Sequence, residues 1–287
     1  MKLYAPSTIK DIREKHGFNF SKNLGQNFLV DKNIIDEIID GSYITEDDLV
    51  IEIGPGVGVL TAEAAQRAAK VVAVEIDTSL IPILEETLAD FDNVTVINRD
   101  ILKTDLKELV EEYSTGGGVK IIGNLPYYIT TPIIMKILEE DVRVDSITIM
   151  MQKEVADRIK ATPGNKIYGA LSAAVQYYCT IEQIATAPKE VFVPRPKVDS
   201  AVLRLDVRKE HPVQLLDEKL FFRCIKSGFE QRRKTLLNSL SGVAGLTKDE
   251  LRQVLEAAGI DPVRRIETLD LQELADLSNS MTKFINR

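Results

Sequence analysis

The sequence predicts an α/β fold with a mainly parallel sheet, followed by a small all-helical domain at the C-terminus. Short runs rich in Val and Ile alternate with helix-like segments in the middle of the chain, which is typical of parallel sheets with helices on both faces. These runs are almost entirely apolar, as expected of strands that are covered on both sides. After His211 and Pro212 the apolar spacing is helical to the end, with short breaks at "SGVAG" and "AGIDP".

The strand-like runs come first in the chain. They are "DLVIEIG" (48–54), "KVVAVEID" (70–77), "NVTVINRD" (93–100), "VKIIGN" (119–124) and "SITIMMQ" (146–152), with helices predicted at "LTAEAAQRAAK" and "TSLIPILEETLADF". Further on, "VFVPRPKVDSAVLRLDVR" (191–208) alternates with period two around a Pro-Arg-Pro turn and predicts two strands paired with each other. We therefore expect one domain over residues 1–208 and a helical domain over residues 209–287.

Composition excludes several classes of protein. The chain has 287 residues, of which 44% are hydrophobic and 28% charged, as in ordinary globular proteins. No apolar stretch approaches the length of a membrane span, and the start lacks the apolar core of a secretion signal, so a cytoplasmic location is expected. Two cysteines and two histidines, away from any cluster with metal-ligand spacing, argue against a disulfide scaffold, a metal site and histidine-based nucleophilic catalysis.

A glycine loop follows the first of these strands. In "EIGPGVGVLT" (52–61), Gly54, Gly56 and Gly58 allow the backbone to approach a ligand closely. The dinucleotide fingerprint G-x-G-x-x-G would need glycine at 59, where the chain has Val59. The spacing G-x-G-x-G after an acid is instead typical of S-adenosylmethionine sites.

Two acids end the next two strands. Glu75 has the position of a residue that accepts both hydrogen bonds from a ribose diol, and Asp100 can accept from the exocyclic amine of an adenine. The alternative is that both are helix caps and that the glycines form only a tight turn. Because the loop and the two acids fall in register at three consecutive strand ends, a nucleoside site is the better interpretation.

The fourth strand runs into "IIGNLPYYIT" (121–130), at the edge where open α/β sheets bind ligands. The Asn124 side-chain oxygen and the Leu125 carbonyl can hold the two N–H groups of a nucleobase amine out of the ring plane, which localises the nitrogen lone pair for attack on a methyl donor. Tyr127 offers a face on which the base can stack. The alternative, a proline-ended turn followed by a core tyrosine, is less favoured behind that glycine loop.

These motifs resemble those of the ribosomal RNA adenine N6,N6-dimethyltransferases, and most closely the bacterial ones that act on small-subunit rRNA. The resemblance covers essentially the whole chain and rests on motifs in family order: "KNLGQNFLVD", "EIGPGVGVLT", "AVEID", "NRDIL", "GNLPYYITTPI", "MMQKEVADRI", "YGALSAAVQYY", "VFVPRPKVDSAVLRL" and "FEQRRKTLLNSL". It implies a Rossmann-like S-adenosylmethionine-dependent methyltransferase domain without a metal. One departure is Ile266 in "RRIETLDL", where the family usually has a small residue or proline.

The resemblance also implies site residues and a substrate. Asn27 and Leu29 would fold over the donor alongside Gly54, Gly56, Glu75, Asp100 and Asn124, and Phe192 would stack on the second face of the target adenine. The implied reaction dimethylates two adjacent adenosines in the terminal hairpin loop of small-subunit rRNA, four transfers in all, during late ribosome biogenesis. The implied partner is an immature 30S subunit, and we expect a monomer.

Basic residues are clustered even though the net charge of −8 counts against a nucleic-acid partner. The main cluster is in "KLFFRCIKSGFEQRRKTLLNSL" (219–240), where Arg232, Arg233 and Lys234 are expected to bind RNA phosphates. The alternative is a solvated basic helix face. Two further groups comprise Lys189, Arg195, Lys197, Arg204, Arg208 and Lys209, and Lys10, Arg13, Lys15 and Lys22.

Four other functions compete with this hypothesis. A DNA adenine methyltransferase uses a similar turn, but a large target-recognition region does not fit in the C-terminal part. A methyltransferase acting on large-subunit rRNA shares the catalytic half and is disfavoured by "GQNFLVD" and "ETLDL". A mainly non-catalytic ribosome assembly factor would bind the same subunit without using Asn124. A NAD-dependent enzyme is disfavoured by Val59.

Overall fold

The computed structural model describes residues 2–21, 24–140 and 142–286. The chain divides into two compact units, one made of Met1–Ala156 and Thr180–Val207, the other of Asp157–Cys179 and Arg208–Arg287. The sequence predicts a first domain over residues 1–208, which includes the segment 157–179. In the structure this segment belongs to the second unit. Tyr168 and Tyr177 of that segment are buried in the same apolar core as Phe221, so the segment packs with the helical unit.

Strands and helices have the following bounds. The strands are β1 (Phe28–Leu29), β2 (Leu49–Ile53), β3 (Lys70–Glu75), β4 (Val94–Asn98), β5 (Val119–Asn124), β6 (Ser146–Gln152), β7 (Cys179–Ala187), β8 (Phe192–Val193) and β9 (Ser200–Val207). The helices are α1 (Pro6–His16), α2 (Lys32–Gly41), α3 (Val59–Ala65), α4 (Ile81–Thr87), α5 (Leu106–Tyr113), α6 (Thr130–Glu139), α7 (Lys153–Lys160), α8 (Ala170–Tyr178), α9 (Glu218–Glu230), α10 (Leu236–Ser239), α11 (Lys248–Ala257) and α12 (Leu271–Ile285). No helix in the described part of the chain is long and apolar enough to cross a membrane.

The main sheet has the strand order β4-β3-β2-β5-β6-β9-β7. The pairs β2–β3, β2–β5, β3–β4 and β5–β6 are parallel, and β9 joins β6 antiparallel. The mainly parallel sheet is therefore confirmed, and its strands β2 to β6 are the five runs identified in the sequence. The strand order reverses direction at β2 and β5, which is where open α/β sheets form a ligand-binding crevice.

One strand prediction is wrong. Residues 191–208 contain two strands, but they do not pair with each other. Strand β8 pairs antiparallel with β1, so that Leu29 faces Phe192, whereas β9 pairs with β6. The physical reason is that Pro194 and Pro196 stand between the two strands and have no N–H to donate to a hairpin ladder. The backbone of β8 pairs instead with β1, which belongs to residues 24–30, called the N-terminal segment from here on.

Helix α2 follows that N-terminal segment and fixes it to the sheet. Asp31 is its N-cap, and the carboxylate accepts hydrogen bonds from the backbone N–H groups of Asn33 and Ile34. The helix buries Ile35, Ile38 and Ile39 in the core, at the spacing of one helix face. The cap fixes the residue at which α2 begins, and the apolar face fixes the orientation of the helix on the core. Residues 24–29, just before the helix, lie beside the carboxyl ends of the strands.

The second unit is built on helices α8 to α12 with a common apolar core, as the all-helical prediction for the C-terminal part requires. Ile266, the departure from the family pattern, is fully buried there. It lies against Gly228 in α9, where an added Cβ would be 2.6 Å from Cγ1 of Ile266. The larger side chain at position 266 therefore occupies the space that a side chain at position 228 would take.

We predict that Gly228→Ala destabilises the protein by about 1–3 kcal/mol in chemical denaturation, because overpacking a buried contact outweighs the better helix propensity of alanine. In an Ile266→Ala background the new methyl group has space, and the same substitution should be neutral or stabilising. Lys226→Ala, an exposed position of the same helix, serves as the control. An equal loss in both backgrounds would show that Ile266 is not the cause.

Candidate functional site

The glycine loop connects β2 to α3 in a conformation that needs glycine. Gly54, Gly56 and Gly58 have φ values of 70°, 61° and 88°, in the region that other residues rarely adopt. A Cβ on Gly56 would lie 3.1 Å from the ring of Phe28. Strand β1 thus closes directly over the loop, and little space is left for any side chain between them.

A buried hydrogen bond joins the two ends of this loop. Glu52 in β2 accepts from the Thr61 hydroxyl in α3, and the carboxyl group is only 1% exposed. Burial raises the pKa of Glu52 to about 8, an effect opposed by the Thr61 hydrogen bond and increased by the neighbouring Glu75. In the sequence, Glu52 stands out only as an acid before the loop. The additional signal in the sequence is the pair Glu52 and Thr61, which brackets the three glycines.

Glu75 ends β3 with its carboxyl group facing the glycine loop. It is 5% exposed and accepts a hydrogen bond of 2.8 Å from the backbone N–H of Asp77. Burial raises the pKa of Glu75 to about 7, although hydrogen bonds from backbone N–H groups, including that of Gly56, act in the opposite direction. A carboxyl group with a pKa in this range takes up or releases a proton readily when a charged ligand binds.

Asp100 follows β4 and has two local contacts. Its Oδ1 accepts from the backbone N–H of Leu102 at 3.0 Å, and Lys103 Nζ is 3.5 Å from Oδ2. The side chain is 25% exposed. Asp100 therefore stabilises its own turn, in agreement with the alternative that it is a capping residue. Its side chain also borders the cleft described below, where the carboxylate can accept further hydrogen bonds.

Asn124, at the end of β5, is oriented by the N-terminal segment. Its Nδ2 donates to the Asn27 carbonyl at 2.8 Å, and Asn27 Nδ2 in turn donates to the Gly25 carbonyl at 3.0 Å. Gln26 ties the same segment to the β3 edge through a 2.7 Å bond to Asp77. Because the amide nitrogen of Asn124 is engaged, its side-chain oxygen is the atom presented as an acceptor.

The residues after Asn124 provide a second acceptor and a fixed ring. Leu125 N donates to the Met150 carbonyl at 3.2 Å, and no hydrogen bond within residues 2–21, 24–140 and 142–286 uses the Leu125 carbonyl. The Tyr127 hydroxyl lies 2.9 Å from Oγ of Ser200, a fully buried residue of β9. Burial raises the pKa of Tyr127, so this phenol stays neutral and its ring is held from the sheet side.

One cleft gathers most of the predicted site. It encloses roughly 1050 Å³ of empty space, part of it open to solvent. The predicted residues that line it are Asn27, Leu29, Gly54, Gly56, Glu75, Asp100, Asn124, Leu125 and Tyr127. Two carboxyl groups, the amide of Asn124 and the residue Leu125 thus border a single space, with a glycine loop and a tyrosine ring beside them.

Four predicted residues are not in the lining of this cleft. Phe192 is 3% exposed and packs in the apolar core of the first unit, opposite Leu29 in the β1–β8 pair, so its ring offers no free face for a base in this structure. Arg232, Arg233 and Lys234 belong to the second unit, on the turn between α9 and α10 rather than on a continuous helix. Arg232 Nη2 donates to the Asn165 carbonyl at 3.3 Å, whereas Arg233 and Lys234 are exposed.

The other basic groups are partly engaged within the protein. Arg204 is paired with Glu182 and Asp206 and stacks 4.2 Å from the centre of the Tyr43 ring, and its side chain is only 9% exposed. Lys15 pairs with Glu86, and Lys22 lies outside the described residues. In the part of the chain that the structure describes, no group of three or more His, Cys, Asp or Glu side chains is arranged to hold a metal ion.

A family model and full-length relatives both indicate one family of ribosomal RNA methyltransferases. Residues 17–283 match the family model described as "Ribosomal RNA adenine dimethylase". The chain is 55% identical over 278 residues to "Ribosomal RNA small subunit methyltransferase A" of Clostridioides difficile, covering 97% of this chain and 96% of the relative. The protein of the same name from Bacillus mycoides is 52% identical over 283 residues, covering 97% of each chain.

Two solved structures share the fold. A dimethyladenosine transferase from Plasmodium falciparum superposes with a TM-score of 0.78 at 24% identity, covering 90% of this chain and 98% of that one. The 23S rRNA methyltransferase ErmE superposes with a TM-score of 0.67 at 25% identity, covering 91% and 100%. Both likenesses extend over nine-tenths of the chain and so include its helical part.

We predict that Glu52 makes the folded protein less stable as the pH rises. Its folded pKa of about 8 lies above the ordinary value of 4.5. Between these values the unfolded chain binds fewer protons than the folded one, so the free energy of unfolding falls with increasing pH. At about 1.4 kcal/mol per pKa unit, the effect amounts to a few kcal/mol.

The measurement is urea denaturation from pH 5 to pH 8.5 on the wild type and on Glu52→Gln, which keeps an acceptor for Thr61 but cannot ionise. The variant should lose less stability across this range. A residual decrease from Glu75 is expected, since burial shifts its pKa in the same direction. Parallel curves for the two proteins would contradict the assignment.

Proposed function

The chain belongs to the ribosomal RNA adenine dimethylase family, and we propose that it transfers methyl groups from S-adenosyl-L-methionine to N6 of two adjacent adenosines in the terminal hairpin loop of small-subunit rRNA. The observation that carries the proposal is the shared cleft, where the Asn124–Tyr127 turn borders the same space as the glycine loop and Glu75. Donor and acceptor sites can therefore meet without rearrangement of the sheet.

The donor side of the cleft suits an adenosine with a charged sulfur. Glu75 offers two oxygens to a ribose diol, and Asp100 offers an oxygen to the adenine amine. The donor would supply an activated methyl group on a sulfonium centre. That positive charge favours the ionised form of Glu75, which burial alone disfavours. Asn27 and Leu29 would close the site from the N-terminal side.

The acceptor side addresses the weak nucleophilicity of an adenine amine. Its nitrogen lone pair is delocalised into the ring. The side-chain oxygen of Asn124 and the carbonyl of Leu125 can each accept one N–H, which turns the amine out of the ring plane and localises the lone pair. Tyr127 offers its ring as a stacking surface, and the bond to Ser200 keeps that ring in one position. The methylated amine is acidic enough to release its proton to water.

The second transfer to each adenosine differs in one respect. After the first methylation the amine keeps a single N–H, so one of the two acceptors has no hydrogen to accept. The cleft must then accommodate a methyl group beside that acceptor. No described residue donates a hydrogen bond to the Leu125 carbonyl, and the cleft is partly open to solvent, which is compatible with this requirement.

The substrate assignment rests on the relatives. Those at 52–55% identity over nearly the full chain carry a small-subunit name, whereas ErmE, whose name gives 23S rRNA, is only 25% identical. The small-subunit name of these relatives supports small-subunit rRNA as the substrate. We further propose that the reaction takes place on an immature 30S subunit in late ribosome biogenesis, in the cytoplasm, with the protein acting as a monomer. Loop adenosines are partly unstacked, which lowers the cost of bringing one into the cleft.

The test is methyl transfer from labelled S-adenosylmethionine to small ribosomal subunits that lack the modification, with large subunits and duplex DNA in parallel. We expect dimethyladenosine from small subunits alone. Asn124→Ala should lower the rate about 100-fold or more, the size of loss seen when one preorganised polar group is removed from an active site. Asn33→Ala, an exposed asparagine of α2, is the matched control and should leave the rate unchanged.

The other outcomes are informative. Label in large subunits or DNA would keep the chemistry and overturn the substrate. Tight binding to small subunits without any transfer would identify a non-catalytic assembly factor. Transfer by Asn124→Ala at the wild-type rate would remove Asn124 from the mechanism.

We further predict that Arg233 and Lys234 contact RNA phosphates. Log Kd for hairpin RNA should depend on log salt concentration, and each Ala substitution at these positions should lower the slope by about 0.7–0.9. Lys107→Ala, an exposed lysine of α5, is the control and should leave the slope unchanged. Arg232 is left intact because it bonds to the Asn165 carbonyl. Equal slopes for all variants would refute the contact.

A further inference from the structure

Tyr128 is an exposed aromatic residue at the border of the cleft. Its side chain is 61% exposed, and it is one of the cleft-lining residues. It directly follows Tyr127, yet the two side chains have opposite environments. Tyr127 is half-buried and bonded to Ser200 through its hydroxyl. The mechanism proposed above uses Tyr127 and assigns nothing to Tyr128.

Comparison with the other exposed tyrosine shows what is unusual about Tyr128. Tyr43 is 62% exposed, but the guanidinium of Arg204 stacks on its ring at 4.2 Å. Within the described residues, no aromatic ring and no cation stacks on Tyr128. A large flat side chain is therefore presented to solvent with its stacking capacity unused, although burying it would be favourable.

The position of Tyr128 is well defined by its neighbours. The turn before α6 is closed by a 3.1 Å bond from Ile129 N to the Pro126 carbonyl, which also accepts from the Thr130 hydroxyl. On the other side, a Cβ added to Gly25 would lie 3.5 Å from Cε1 of Tyr128. Gly25 thus lies near one edge of the ring, and the backbone that carries Tyr128 is held by the turn, so little backbone entropy is lost when a ligand contacts this side chain.

We propose that Tyr128 is a stacking platform for the nucleotide next to the target adenosine, an inference that rests on the proposed function. A base that enters the cleft leaves its stack and separates from its neighbour in the chain. The neighbour then remains at the cleft mouth with an exposed face. Single-stranded bases in RNA-binding proteins stack on aromatic side chains in this situation. In this arrangement Tyr127 contacts the target base, and the adjacent Tyr128 contacts the next base along the RNA.

Because the two tyrosines contact different nucleotides, they should affect different properties. Tyr127 is fixed inside the cleft and acts on the base that reacts. Tyr128 lies at the border of the cleft, has its ring largely in solvent and touches only the flanking base. Its loss should therefore weaken RNA binding and leave donor binding unchanged.

The experiment uses the full-length protein and a hairpin RNA in which one of the two adjacent adenosines is replaced by 2-aminopurine. This base has no N6 amine for Asn124 and Leu125 to hold, so the remaining adenosine takes the cleft and the label reports the neighbouring position. Stacking on a tyrosine quenches its fluorescence. With S-adenosylhomocysteine present, we expect at least twofold lower fluorescence in the wild-type complex than in the Tyr128→Ala complex, and about tenfold weaker RNA binding by the variant.

Two further variants separate stacking from bulk. Tyr128→Phe keeps the flat ring and should behave as the wild type, whereas Tyr128→Leu keeps apolar volume and should resemble Tyr128→Ala. Affinity for S-adenosylhomocysteine should be equal in all four proteins, which also shows that the variants are folded.

The outcomes distinguish this inference from the proposed function. If the wild type methylates small subunits but Tyr128→Ala changes neither fluorescence nor RNA affinity, the platform is refuted and the function stands. If Tyr128→Leu binds and quenches as the wild type does, the contact is apolar and the stacking role is refuted. A wild-type protein that neither binds the hairpin nor methylates small subunits would overturn both.

Discussion

The parallel pairing of β2 with β3 and β5 is the constraint on which the site depends. Parallel strands end at the same edge of a sheet, so the segments that leave β2, β3, β4 and β5 emerge side by side. The register places Ile53 beside Val74 and Glu75 beside Asn98. As a result, a glycine loop, a buried acid, a second acid and an asparagine turn border one cleft although they are far apart in sequence. Antiparallel pairing of any of these strands would send its functional residue to the opposite edge.

This convergence has an electrostatic cost. Glu52 and Glu75 are both buried near the glycine loop. Burial raises the pKa of each, and the neighbouring Glu75 raises that of Glu52 further. Burial raises the pKa of Glu52 to about 8, which favours its neutral form at lower pH, and the side chain accepts a hydrogen bond from Thr61. Glu75, with a pKa of about 7, is left close to its titration point. A cationic ligand with two hydroxyl donors stabilises the charged form of Glu75, so the ligand offsets a cost that the empty protein carries.

Features that arise from neighbouring residues are predictable from this sequence, whereas contacts between residues distant in the chain are not. Strands β2 to β6 have Val- and Ile-rich runs of five to seven residues, and the glycine loop and the two acids follow directly from them. Strands β1 and β8 have two residues each, too few for any periodicity, and their pairing joins segments that are distant in sequence. The Tyr127–Ser200 contact spans 73 positions and depends on β9 joining the sheet next to β6. The segment 157–179 has ordinary helical character, and only the packing of Tyr168 and Tyr177 shows which unit it belongs to.

The N-terminal segment connects the two halves of the cleft. On one side Gln26 bonds to Asp77 beyond β3, where the donor is expected. On the other side the Asn27 carbonyl accepts a hydrogen bond from Asn124, and Gly25 lies near the ring of Tyr128. Leu29 adds a backbone link to Phe192. Because one short piece of chain bonds to the donor edge and sets the acceptor geometry, a change in its position alters both at once. Through Gln26 and Asn27, this segment therefore links Asp77, beyond the end of β3, to Asn124 at the end of β5.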